Sequence, residues 1–172
     1  MIASLRTAMA RYRDLGERAL AQVDDAGLHR RVDPDGNSLD VLVRHVGGNL
    51  RSRFTDFLTS DGEKPWRHRD GEFTEGHASR EEMLAVWSAG WDVLEAVLDA
   101  VGDAHLAREV TIRGERLTVE AALLRSYGHT AYHVGQIVQL ARTLAVEWRT
   151  LSIPRGGSEE FTRRRRETRG DA

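Results

Sequence analysis

The chain has 172 residues, 40% of them hydrophobic and 30% charged, a length and balance suited to one soluble globular domain with a sizeable core. Its 25 Lys and Arg stand against 27 Asp and Glu, so no global field draws it to nucleic acid. It has no cysteine, which excludes disulfides, thiolate metal sites and a cysteine nucleophile and leaves nitrogen and oxygen ligands for any metal.

Residues 2–23 carry Leu5, Met9, Tyr12, Leu15, Ala19 and Val23 at spacings of three and four, the stripe of an amphipathic helix. The same segment is charged and lacks a continuous apolar run, so it does not read as a secretory leader. No stretch approaches the ~18 consecutive apolar residues of a membrane span, and a cytoplasmic protein without a membrane partner is the expectation. The run "DPDGNS" at 33–38 breaks the pattern with Pro and Gly. Asn37 or Ser38 then caps a second helix to about Leu58, with Leu42, Val46, Leu50, Phe54 and Phe57 inward and His45 and Asn49 bordering that face. Residues 60–78 are polar and Gly-rich and read as a long surface loop, of a length often tied to function or mobility.

Ser79 and Glu82 form a capping box that opens a third helix, with Met83, Trp87, Leu94, Val97, Leu98 and Val101 on one side. Trp87 and Trp91, one turn apart, read as core; lining the apolar part of a pocket is the alternative. Residues 110–119 form a short hairpin about Arg113-Gly114. Thr118 then caps a fourth long helix that runs to about Val146. In the tail, "RRRR" at 163–166 lies among Glu159, Glu160 and Glu167 and reads as a solvated terminal helix. Four long amphipathic helices argue for an all-α four-helix bundle over residues 1–172. The hairpin precedes the last long helix, residues 155–172 form a C-terminal tail, and the gap between helices two and three serves as a longer crossover.

The fourth helix contains "HTAYHVGQ" at 129–136. His129 and His133 are one turn apart, with Cβ atoms expected ~5–6 Å from each other, so both rings can converge on one ion. Neutral imidazole suits zinc and similar divalent metals. The same spacing also suits solvated histidines or satisfied core groups. A third ligand would come from a neighbouring helix, and His45 is the remaining histidine inside a predicted helix. Three histidines with open positions are the pattern of a catalytic metal. His29, His68, His77 and His105 fall in loops or helix ends and read as solvated.

Gln136 shares the side of His133, where it can orient a ligand, bond a metal-bound water or touch substrate. Asn49, one turn after His45, can line the pocket or bond a ligand histidine's second nitrogen. Arg53, one turn further, can hold a carboxylate of substrate or thiol cofactor, or be a simple surface arginine. Tyr132 reads as a structural aromatic. No carboxylate lies between Glu120 and Glu147, so no general base accompanies the pair on its own helix. The segment "SIPRGG" at 152–157 can fold back over a pocket mouth with Arg155 facing an anion, or simply dock on the bundle.

The stretch "LVRHVGGNLRSRF" in helix two, followed by "YGHTAYHVGQIVQLAR" in helix four, resembles the DinB-like (DinB/YfiT) superfamily, over essentially the whole chain. The tail "WRTLSIPRGGSEEF" resembles a subgroup of it with no settled function. The resemblance implies an up-down-down-up bundle, often dimeric, with a divalent metal (zinc, nickel, manganese or iron) held by His45, His129 and His133. Relatives include transferases and isomerases that use low-molecular-weight thiols, and some hydrolases. The expectation is therefore a homodimeric, divalent-metal-dependent enzyme acting on a small molecule. Thiol-dependent S-transfer comes first and metal-assisted hydrolysis second, with a metal-activated thiol or water as nucleophile. Asn49, Arg53, Gln136 and Arg155 are the substrate-binding candidates. The alternative is a non-catalytic dimeric binding or stress-response module whose metal is structural or absent.

Overall fold

The helices form where the three- and four-residue apolar spacing persists, and they begin where a side chain can take up the first free backbone N–H groups. The computed structural model describes residues 1–74 and 79–169. Among them are six α-helices: α1 Ile2–Leu20, α2 Asp25–His29, α3 Leu39–Phe54, α4 Arg80–Ala100, α5 Val119–Leu144 and α6 Ser158–Arg169. Ser38 Oγ accepts from the Val41 amide at the start of α3. Ser79 and Glu82 form the reciprocal box at the start of α4. Thr118 Oγ1 accepts from the Ala121 amide at the start of α5. None of the described helices is long and apolar enough to cross a membrane.

Two short strands, β1 Glu109–Ile112 and β2 Glu115–Thr118, pair antiparallel with Val110 opposite Leu117. Arg113 and Gly114 both take positive φ, 54° and 76°, as a two-residue turn matched to strand twist requires. Both Asp61 carboxylate oxygens accept from the turn, from the Arg113 and Gly114 amides at 2.8 Å each. The hairpin is thereby tied to the loop that follows α3.

The four long helices share one core, in which α3 packs on α4 and α5, and α1 on α5 and α4. Trp87 and Trp91 are fully buried in it, in keeping with the core reading, and the Trp87 indole N–H donates to Glu17. The α3–α4 contact is backbone on backbone. A Cβ at Gly90 would lie 2.3 Å from the Gly47 carbonyl oxygen, and one at Gly47 would lie 2.4 Å from that of Val86. Only glycine permits so close an approach.

Four expectations need correction. The first helix stops at Leu20, and Asp24 caps the separate short helix α2 by accepting from the Gly27 amide; Val23 still reaches the core. Helix α3 ends at Phe54, because Thr55 is extended and Asp56 takes a φ of 49°, although Phe57 remains buried. Helix α5 ends at Leu144, since Ala145 is extended. The polar segment after α3 is not only surface: Lys64 and Arg67 are buried, and the 3-10 turn Asp70–Phe73 packs on α3.

Candidate metal centre

His45 sits mid-way along α3 on the side that meets α5, and it is 4% exposed. His129 and His133 lie one turn apart on α5 and are partly buried. The fold brings all three together, with one ligand atom from each lying within 4.8 Å of the others. Their rings meet edge-on, with centroids 5.2 Å apart for His45 and His129, 4.8 Å for His45 and His133, and 4.5 Å for His129 and His133.

Hydrogen bonds from outside the cluster set the tautomers. His45 Nδ1 is 2.9 Å from Glu72 Oε2; a carboxylate only accepts, so Nδ1 carries the proton. His133 Nδ1 is 2.7 Å from Gln136 Oε1, and the Gln136 amide nitrogen donates to the Tyr132 hydroxyl, which turns the amide oxygen toward the ring. In His45 and His133 this leaves Nε2 as the nitrogen that can face a cation. His45 Nε2 and His129 Nε2 stand 3.2 Å apart.

The electrostatics match. Burial, reinforced by His133, His45, Arg67 and Arg53, pushes His129 down to about 3, so the ring is neutral across the physiological range. Burial also lowers His133, against the bond from Gln136, which raises it. Burial alone would raise Glu72, but the bonds from His45 and Arg67 outweigh it and hold the carboxyl below its ordinary range. Arg67 grips the same carboxylate through Nε and Nη2, both at 2.8 Å.

These residues fit a divalent cation. Two Zn–N bonds of ~2.0–2.1 Å at a tetrahedral angle put their nitrogens ~3.3–3.4 Å apart, close to the observed Nε2 pair. Two of the three rings also have the outward Nδ1–H partner usual for metal-bound histidine.

A cavity of about 240 Å³ opens beside His45 and His129. Asn49 and Arg53 line it, as do Arg67, Phe54, Phe57, Ile112 and Ser126. Gln136 lies outside this lining, holding His133 from behind. Arg155 is exposed in the turn before α6 and also lies outside it. None of the described tail residues lines the cavity: the Arg149 amide donates to the Gln22 side chain in the turn after α1, and Trp148 and Leu151 pack on the core. Tyr132 is exposed, with its ring 4.9 Å from His133. His29 and His68 are exposed, whereas His105 accepts from the Gly102 amide and so stabilises a turn; His77 lies outside the described residues.

Sequence reasoning missed Glu72 and Arg67, because a Gly-rich polar loop has no period that shows which side chains point inward. It also missed Arg125 on α5, although Arg125 and Ser126 precede His129 by four and three residues and that spacing was visible.

No curated protein matches the chain. The fold is similar to the crystal structure, at 2.30 Å resolution, of a DinB-like protein, YjoA, from Bacillus subtilis. The TM-score is 0.62 at 14% identity, covering 81% of this chain and 90% of that one, a likeness of fold alone. A family model described as a protein of unknown function, DUF1572, matches residues 1–157, which include all three histidines and the cavity lining, and the chain belongs to that family.

Proposed function

We propose that His45, His129 and His133 hold a divalent cation and that the protein is a metal-dependent enzyme acting on a small molecule in the adjoining cavity. The observation that carries this is the meeting of three imidazoles from two helices, with one Nε2 pair at 3.2 Å and two of the rings, His45 and His129, on the wall of a cavity. A divalent cation there supplies a Lewis acid that makes water or a thiol nucleophilic near neutral pH.

The chain's own residues supply orientation and enclosure. Glu72 and Gln136 fix the rings of His45 and His133 from behind. Asn49 and Arg53 offer donors to the substrate, and Phe54, Phe57 and Ile112 keep water from one wall. Among the described residues no carboxylate lines the cavity, so no Asp or Glu is placed to take a proton from water. Water or a thiol would therefore depend on the cation for its ionisation, and we read transfer from a small thiol as the first reaction and hydrolysis as the second. We read α1, α3, α4 and α5 as an up-down-down-up bundle, and the exposed Leu124 and Tyr132 on α5 as the surface of a homodimer.

Elemental analysis and calorimetric titration with zinc, nickel, manganese and ferrous iron test the centre. The expected result is one equivalent per chain, with affinity falling at least ~100-fold in His133→Ala and in His45→Ala while far-UV circular dichroism is unchanged. Equal affinity in both variants, or no uptake, overturns the metal centre and leaves a non-catalytic binding module.

A further inference from the structure

Five arginines line the cavity beside the histidines, Arg53, Arg67, Arg69, Arg113 and Arg125, and among the described residues no Asp or Glu lines it. They come from α3, the loop after it, the hairpin turn and α5. No helical repeat explains the cluster, and like charges gathered in a concave site repel unless an anion lies between them.

The neighbouring carboxylates hold these guanidinium groups without entering the cavity. Glu72 takes Nε and Nη2 of Arg67. Glu63 takes Nη1 of Arg53 and Nε of Arg113. Glu115 takes Nη1 of Arg125. A guanidinium has five N–H donors, so donors remain after each pairing.

Three residues of the cavity wall carry a buried polar atom that lacks any partner, and one of these atoms, His129 Nδ1, belongs to the histidine cluster. Arg67, with a side chain 2% exposed, has its Nη1 buried and unbonded, and Ser126 has its Oγ buried and unbonded. Native proteins rarely leave such groups unmatched unless something outside the chain matches them. Exposure is graded along the cluster: Arg53 is also well buried, while Arg69, Arg113 and Arg125 are about half exposed. The remaining wall includes Phe54, Phe57 and Ile112, which suit carbon rather than a bare inorganic ion.

We propose that the cavity binds a small organic oxyanion, its acid group on Arg67 and Ser126 and its apolar body against Phe54 and Phe57. As the substrate or co-substrate class of the metal-dependent reaction, this rests on the function proposed above; as a binding site it does not. Both a carboxylate and a phosphate ester satisfy the arginines, so the test must separate them.

Isothermal titration of EDTA-treated and zinc-loaded protein with benzoate, phenyl phosphate and uncharged benzamide, in low-chloride buffer, makes the test. The expected result is that at least one anion binds the EDTA-treated protein ten or more times more tightly than benzamide. Ser126→Ala is expected to weaken that anion about threefold, and Arg67→Gln at least tenfold. Ser126→Ala removes an unbonded hydroxyl from a helix interior, where Ala is favoured, so it keeps the test valid if Arg67→Gln does not fold. Benzoate tighter than phenyl phosphate assigns a carboxylate, and the reverse order a phosphate ester. The inference is overturned if neither anion exceeds benzamide, if the preference survives the substitutions, or if it is confined to zinc-loaded protein, which would put the anion on the metal. Anion preference without zinc uptake sinks the metal centre alone, and zinc uptake without anion preference sinks this site alone.

Discussion

Gly90→Ala tests the link between helix packing and the site. In an ordinary helix interior this change stabilises by about 1 kcal/mol. Here the added Cβ would lie 2.3 Å from the Gly47 carbonyl oxygen and 2.8 Å from its Cα, against ~3.5–4.0 Å for an ordinary contact. The obstructing atoms are backbone, so no side chain can turn aside, and α3 and α4 must part by roughly 1 Å in an interior packed to crystal density. Overpacking of this kind costs about 1–3 kcal/mol, and a rigid partner places it at the upper end. Net of the helix gain, the loss is about 1–2 kcal/mol. At ~2–4 °C per kcal/mol for a chain of this size, the melting temperature falls ~2–8 °C. Gly47 is two residues from His45, so the same shift displaces that ring relative to His129, and zinc affinity falls roughly tenfold or more. Gly135→Ala on α5 is the control: a Cβ there meets nothing within 4 Å, and the variant melts ~1–4 °C higher. Differential scanning calorimetry and zinc titration read both effects. A Gly90→Ala protein that melts at or above the wild type refutes the packing argument. One that melts lower with zinc affinity unchanged refutes the coupling to the site.

Glu72→Gln keeps an acceptor for His45 Nδ1–H but removes the charge shared with Arg67; zinc affinity is expected to fall ~10–100-fold by titration, and an unchanged value would mean Glu72 does not orient the ring. Asp61 is held below its ordinary range by the backbone amides of Glu63, Gly114 and Arg113, which outweigh burial. A folded-state pKa below the unfolded ~3.9 means its stabilisation is complete above that value and is lost as pH falls through the folded value. Urea midpoints measured from pH 6 to pH 2.5 should therefore drop less steeply in Asp61→Asn than in the wild type, and parallel curves contradict the assignment. Ser79→Ala removes the acceptor for the Glu82 amide at the start of α4 and lowers the melting temperature by ~2–4 °C, for about 1 kcal/mol; no change means the cap adds nothing.

Much of the local structure was legible from the chain alone. The starts of α3, α4 and α5 follow from Ser38, the Ser79–Glu82 pair and Thr118, since a cap acts within three residues of itself. The hairpin follows from Arg113-Gly114, where the turn needs two positive φ angles. Helix ends were less legible: α1 and α3 stop while their apolar stripes continue into Val23 and Phe57, which reach the same core from turns. Periodicity reports which residues face inward and says little about where backbone hydrogen bonding stops.

By itself the sequence determined that His129 and His133 share one face of a helix, because the rise and twist of an α-helix are properties of neighbouring residues. Only the tertiary structure decided that His45 on α3 meets them, that Glu72 comes down from a loop to hold His45, and that arginines from four segments surround one cavity. The meetings of His45 join residues 27 to 88 positions apart, and such distances are closed by core packing, not by any rule that acts along the chain.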